Sequence, residues 1–148
     1  MKLCYKIAGV LIVIVTLGIA ALAVMMSHNS ACPTTALQAV DGETMKAIIY
    51  RCYGSPDVLE LATIAKPVPA DKEVLVKVKA AAVNPLDWHY MRGSPYVMRI
   101  ESGLGAPHET RLGVDFAGTV EAVGKQVTQF KPGDAVFGGR TGAFAEYV

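Results

Sequence analysis

The hydrophobic pattern divides the chain into an apolar N-terminal segment and a longer part of mixed polarity. Ile7–Met26 carries no charge, and Gly9, Thr16 and Gly18 are its only residues that are not apolar. A helix of this length is about 30 Å long, which matches the hydrocarbon thickness of a bilayer. It has no polar face, whereas a surface helix of a globular protein has one. The pattern therefore predicts a membrane-targeting helix.

The residues before the apolar run leave two forms of this prediction open. Lys2 and Lys6 form the short positive region that a signal peptide and an anchor share. Because the run is longer than the core of a signal peptide, we expect residues 1–27 to be an uncleaved single-pass anchor, with cleavage as the alternative. The positive-inside rule then keeps both lysines cytoplasmic and sends the rest of the chain across. If translation starts at Met45 instead, the protein is cytoplasmic.

The segment from residue 28 to residue 44 is small, polar and aperiodic, and it predicts a linker. The globular part, 45–148, follows. Its clearest strand signal is Glu73–Val83, where apolar and polar residues alternate. Several short strands separated by turns are typical of a small β-barrel or sandwich. The other predicted strands are Lys46–Tyr50, Val58–Ile64, Asp115–Val123, Ala135–Phe137 and Ala143–Val148.

The pattern predicts one short helix, Leu86–Arg92. Asn84 is suited to cap it, and Pro85 fits the first helical position. Gly93–Leu112 is predicted to be a long loop, and loops of that length are often functional or mobile.

Charge and cysteine content exclude two classes of protein. The 148 residues carry a net charge of +1, so there is no basic excess with which to neutralise nucleic-acid phosphates. Cys4, Cys32 and Cys52 are too few for a structural zinc site with four cysteine ligands. Cys52 is interpreted as a small buried hydrophobic residue.

Four segments carry a resemblance to a known family. Gly113–Val127 keeps every glycine and valine spacing of the pattern G-H-E-x2-G-x5-G-x2-V, and three further segments match in order: Val76–Val83, Phe130–Val136 and Gly142–Val148. On these residues, 45–148 resembles the N-terminal GroES-like (chaperonin-10-like) domain of medium-chain dehydrogenases/reductases. The resemblance implies a mainly β fold, a partly open β-barrel with one short helix, here preceded by the transmembrane helix.

Two positions in these segments indicate the branch of the family. Asn84 and Val114 stand where zinc-dependent members place a cysteine and a histidine, and neither side chain replaces those ligands. Asn84–Asp87 is similar to the N-P-x-D segment of zinc-independent quinone oxidoreductases and enone reductases. The resemblance implies hydride transfer from NADPH, without zinc, to a small apolar quinone or α,β-unsaturated carbonyl compound.

The resemblance also selects candidate site residues. Without a metal, a neutral donor must stabilise the developing oxygen anion, and Asn84 is placed for this, although it is also an ordinary helix cap. His89 and Tyr90 are the lower-ranked candidates for supplying a proton, and each also fits a structural role. The remaining candidates form or support the substrate pocket: Asp87, Trp88, Tyr96 and Asp115.

The residues that bind the cofactor stay unknown from this sequence. Gly113, Gly118 and Gly124 do not form the phosphate-binding G-x-G-x-x-G pattern, and they fit turns and a strand bend instead. In the family the nucleotide-binding (Rossmann) half would follow Val148, so we expect a substrate-side domain that is incomplete as an enzyme. The alternative is a membrane-tethered, non-enzymatic β-barrel module that binds a partner protein. A homodimer is a further expectation.

Overall fold

In the computed structural model, the described residues are 2–35, 37, 39 and 41–148. The chain begins with helix α1, Lys2–Ser27. Within it, Tyr5–Ser27 has a mean hydropathy of 2.9, and the side chains are exposed as far as Met25. By length and composition this helix can cross a membrane, as its uninterrupted apolar sequence predicts.

The rest of the molecule is mainly β, as expected. The five strands are β1 Thr44–Tyr50, β2 Leu59–Ala65, β3 Val74–Ala82, β4 Asp115–Val123 and β5 Ala135–Gly139. Strands β1 and β2 pair with each other in antiparallel orientation. A second antiparallel sheet has the order β3-β4-β5. Alternation predicted β3, and β-branched residues and flanking turns predicted the other four, to within two residues at each end.

The C-terminal segment joins the two sheets. Val148 and Val76 exchange backbone hydrogen bonds of 3.0 and 2.7 Å, so the segment lies along β3. On its other side Ala145 bridges to Ala47 of β1. The prediction of a regular strand over Ala143–Val148 is wrong, because these residues share their hydrogen bonds between two strands and form isolated bridges. The two sheets and this segment are together termed the barrel below.

The helical content exceeds the single predicted helix. Helix α2, Pro85–Arg92, lies where it was expected. The predicted loop Gly93–Leu112 instead contains a 3₁₀ turn, Tyr96–Met98, followed by the one-turn helix α3, Arg99–Ser102. Flanking proline and glycine residues conceal these turns in the sequence, and a turn of three or four residues has no periodicity to detect.

The core holds α2 against the first sheet. One cluster of buried side chains joins β1 and its following turn to α2 and to the segment before β4: Tyr50, Tyr53, Met91 and Leu112. A second cluster lies within the first sheet: Ala47, Ile49 and Ala62. Because Met91 sits in the first cluster, the orientation of α2 is set by packing rather than by the helix alone.

The segment after α1 is irregular but bonded to the barrel. A disulfide joins Cys32 to Cys52, whose Cα atoms are 5.0 Å apart. Arg51 Nη1 donates to the carbonyl oxygen of Thr35 at 2.7 Å. Cys52 is buried, as its interpretation required, but it is also covalently paired. Sequence reasoning missed the pair because two cysteines 20 residues apart match no motif.

We expect Cys32→Ala to lower the free energy of unfolding by about 3 kcal/mol, because a cross-link that closes a loop of this length restricts the unfolded chain by that amount. Cys32 is exposed, so the substitution leaves the core intact. Guanidinium unfolding in detergent micelles measures the effect. Reductant should destabilise the wild type equally and leave the variant unchanged; a wild type insensitive to reductant would contradict the disulfide.

Candidate functional site

The register of β3 and β4 places the site. Ala82, the last residue of β3, pairs with Asp115, the first residue of β4. Two residues beyond Ala82, Asn84 therefore lies beside that carboxylate, and its Nδ2 donates to Asp115 Oδ2 at 2.9 Å. Gly118 permits the close approach of the strands, because a Cβ there would strike the carbonyl oxygen of Lys77.

A capping box fixes Asn84 from the helix side. Its Oδ1 accepts from the backbone N–H of Leu86 at 2.9 Å, and its own backbone N–H donates to Asp87 Oδ2 at 2.9 Å. The helix-cap role of Asn84 is confirmed, and the same side chain also reaches β4. The Asn84 carboxamide is therefore held at both polar atoms: Oδ1 accepts the hydrogen bond of the helix cap, and Nδ2 donates to Asp115.

Asp87 supports this arrangement from the interior. It is 3% exposed, and its Oδ1 has no hydrogen-bond partner among the residues that the structure describes. Burial raises the pKa of the Asp87 carboxyl above its usual value, and the nearby charge of Asp115 raises it further. The hydrogen bond from the Asn84 backbone opposes both effects.

Trp88 and His89 form the outer side of α2. Their rings meet edge to face, with centroids 4.8 Å apart. Trp88 is about half exposed, and the Arg92 guanidinium lies 5.7 Å from its ring. His89 Nδ1 is hydrogen-bonded to the carbonyl oxygen of Ser94.

The two candidate tyrosines have other surroundings. Tyr90 packs against the core cluster around Tyr50, and it lines a cavity of about 180 Å³ together with Glu109 and His108. The guanidinium of Arg99 lies over the ring of Tyr96, with its carbon Cζ 4.7 Å from the centre of the ring. Of the seven candidate residues, hydrogen bonds join Asn84, Asp87 and Asp115.

Sequence reasoning missed Arg99, which is 1% exposed. Its guanidinium also lies 4.4 Å from the ring of Tyr53. The available signal was a lone arginine between apolar neighbours, Met98 and Ile100, which resembles an ordinary surface charge in a loop.

The three motif glycines serve packing. Gly113 has a φ of +94°, and a Cβ there would strike the backbone of Phe144. A Cβ at Gly124 would strike the carbonyl oxygen of Ala70. These are tight turns and close strand contacts, as predicted. Within 2–35, 37, 39 and 41–148, no three His, Cys, Asp or Glu side chains are grouped to hold a metal ion.

Comparison with known proteins agrees with this architecture. A quinone oxidoreductase of Lama guanicoe is 42% identical over 107 residues, which cover 70% of this chain and 30% of that protein. A 2-methylene-furan-3-one reductase of Solanum lycopersicum is 37% identical over 118 residues, covering 79% of this chain and 29% of the relative. The chain therefore spans about a third of the length of these relatives.

The fold comparison gives the same result. The quinone oxidoreductase structure from Coxiella burnetii superposes with a TM-score of 0.62 and 34% identity, over 72% of this chain and 34% of that one. Residues 70–148 match the alcohol dehydrogenase GroES-like domain. The chain thus belongs to the family of GroES-like domains found in medium-chain alcohol dehydrogenases and quinone oxidoreductases.

Proposed function

We propose that this chain is the substrate-side domain of an NAD(P)H-dependent oxidoreductase that reduces a quinone or an α,β-unsaturated carbonyl compound. The observation that carries the proposal is the Asn84 carboxamide, fixed at Oδ1 by the cap and at Nδ2 by Asp115. An amide nitrogen has two hydrogens, so one N–H of Nδ2 remains for a ligand. The names of the relatives support the substrate class.

The role of Asn84 follows from where charge develops. When bound, the reduced nicotinamide supplies the hydride. The substrate oxygen then gains negative charge, and the preorganised N–H of Asn84 donates to it. Removal of one such donor typically lowers kcat by about 100-fold or more. The donor costs little to orient, because two hydrogen bonds already hold it.

We propose that this step needs no zinc. Asn84 supplies an amide and Val114 an apolar side chain at the two positions where zinc-dependent members hold ligands. A carboxamide engaged in a capping box and with Asp115 is poorly suited to bind the metal. The residues present therefore do not fit a catalytic zinc ion, and the Asn84 N–H takes over the stabilisation of charge.

His89 is the favoured proton donor over Tyr90. The carbonyl oxygen of Ser94 can only accept, so His89 Nδ1 must carry the hydrogen of their bond. Nε2 is then the nitrogen that exchanges a proton with substrate or water. Tyr90 packs into the core cluster, which leaves it suited to a structural role.

We also propose that α1 anchors the domain in the membrane as a single span. From Tyr5 to Met25 its side chains are exposed, and the described part of the barrel does not bury them, whereas Met26 is partly buried. Lys2 and Lys6 favour the cytoplasmic side for the N-terminus. The Cys32–Cys52 disulfide favours an oxidising compartment for the barrel. The proposed reaction therefore requires a reduced nicotinamide on the non-cytoplasmic side.

Asn84→Ser should weaken binding of a naphthoquinone about fivefold, since a neutral hydrogen bond contributes about 1 kcal/mol. Serine keeps the cap acceptor, so α2 stays formed. Titration of the full chain in nanodiscs, followed by the emission of Trp88, the single tryptophan, measures the affinity. Gln129→Ser, at an exposed loop amide, is the matched control and should bind like the wild type. Equal affinity for both variants would count against the donor role.

Asp87→Asn should remove a pH-dependent loss of stability. Because the folded state raises the pKa of Asp87, ionisation opposes folding, and the unfolding free energy falls as the pH rises from the usual carboxyl pKa through the raised one. Asparagine stays neutral and still accepts from the Asn84 backbone. Denaturant titrations measure the unfolding free energy at each pH. As the pH rises across that window, we expect the wild type to lose stability relative to the variant.

Asp57→Asn, at an exposed carboxyl, controls for the change in net charge. If Asp87→Asn differs from the wild type by one constant amount at every pH, folding does not change the pKa of Asp87, and the assigned burial effect is wrong.

Leu17→Arg should reduce membrane retention, because a charge at the centre of a spanning helix costs about 3 kcal/mol. The measurement is the carbonate-resistant fraction after expression in cells. Thr16→Val, which keeps the run apolar, should stay fully resistant. Extraction of the wild type by carbonate would refute the anchor.

A further inference from the structure

The end of α1 is clamped to the barrel by the buried arginine. Arg99 Nη1 donates to the carbonyl oxygens of Met26 and His28, each at 3.0 Å, and Nε donates to that of Gly93 at 2.7 Å. The rings of Tyr53 and Tyr96 flank the guanidinium. A buried cation is tolerated only when its donors are satisfied, and here backbone carbonyls satisfy them.

A second set of contacts holds the residues that follow. The backbone N–H of Ser30 donates to the carbonyl oxygen of Gly105 at 2.9 Å. Gly105 has a φ of +78°, and a Cβ there would lie 2.8 Å from Ser30 Oγ. The disulfide from Cys32 follows two residues later. The end of α1 and the residues that follow it are therefore bonded directly to the segment 96–105.

This clamp sets the depth of the segment in a membrane. The apolar run of α1 ends at Met26. The headgroup layer on each side of the hydrocarbon is about 5–8 Å thick. Since Arg99 Nη1 is 3.0 Å from the Met26 carbonyl oxygen, an inserted α1 brings the Arg99 backbone and its neighbours into or against that layer.

The same segment exposes apolar side chains. Val97, Ile100 and Leu104 are 61%, 67% and 50% exposed, while Arg99 between them points inward. Glu101 is the exposed charge of the segment, which restricts the patch to the depth of the headgroups. Apolar side chains beside interfacial tyrosines are typical of surfaces that rest on a bilayer.

We infer that residues 96–104, here termed the juxtamembrane patch, dock on the lipid surface beside α1 and hold the barrel against the membrane in one orientation. The inference rests on the proposed anchor. Lipid is the expected binding surface because the patch is continuous with the end of the apolar helix, and the bonds of Arg99 to that end keep the patch at the depth of the headgroups. A second protein copy or another domain covering these side chains is the competing arrangement.

Tryptophan quenching tests the inference in the full chain. In a Trp88→Phe background, Val97→Trp places a reporter in the patch, and Val68→Trp places the same substitution on the exposed β2–β3 connection. Leu17→Trp reports on the anchor itself. Each protein is reconstituted in phosphatidylcholine vesicles with and without bromine on the acyl chains near the headgroup, and the reporter at 17 is also tested with bromine near the chain ends, because it lies at the bilayer centre. All three positions are exposed, so the substitutions leave packing unchanged.

We expect the reporter at 97 to lose much of its emission to brominated lipid and to shift to the blue, and the reporter at 68 to do neither. Quenching at 17 without quenching at 97 overturns the docking of the patch and leaves the anchor standing. Quenching at 68 as strongly as at 97 also overturns the inference, because the patch would not be the contacting surface. No quenching at 17 overturns the anchor and the docking together.

Discussion

The antiparallel register of β3 and β4 is the constraint on which the candidate site depends. Pairing of Ala82 with Asp115 brings the start of α2 to the start of β4, and only then can one carboxamide cap the helix and meet the carboxylate. Gly118 makes this register possible by removing a Cβ that would strike β3. The C-terminal segment then connects β3 to β1 by backbone hydrogen bonds on both of its sides.

The elements with a strong period could be predicted from sequence, and the contacts between elements could not. The alternation in β3 and the proline and cap residues of α2 located both correctly. Asn84 was identified from its position in a family motif, but its bond to Asp115 depends on strand register, which no local pattern encodes. The turn at Tyr96–Met98 was missed because three residues are too few to show a period, and the disulfide because it depends on a tertiary contact.

The junction between α1 and the barrel changes how the N-terminal part is understood. Composition predicts a linker after the helix, and three of its residues are bonded to the barrel: His28 to Arg99, Ser30 to Gly105 and Cys32 to Cys52. A helix whose end is bonded to a folded domain transmits its orientation to that domain. If α1 anchors the domain as proposed, the site beside α2 lies at a fixed distance from the bilayer.

The most direct test of the account is the structure of the full chain with a bound naphthoquinone. We expect a quinone carbonyl oxygen at about 2.9 Å from Asn84 Nδ2, the ordinary length of an N–H···O bond. The bonds from that carboxamide to Leu86 and Asp115 should persist. A quinone held elsewhere, or one whose oxygens meet only Tyr90 or solvent, would contradict the assignment of Asn84 and with it the proposed reaction.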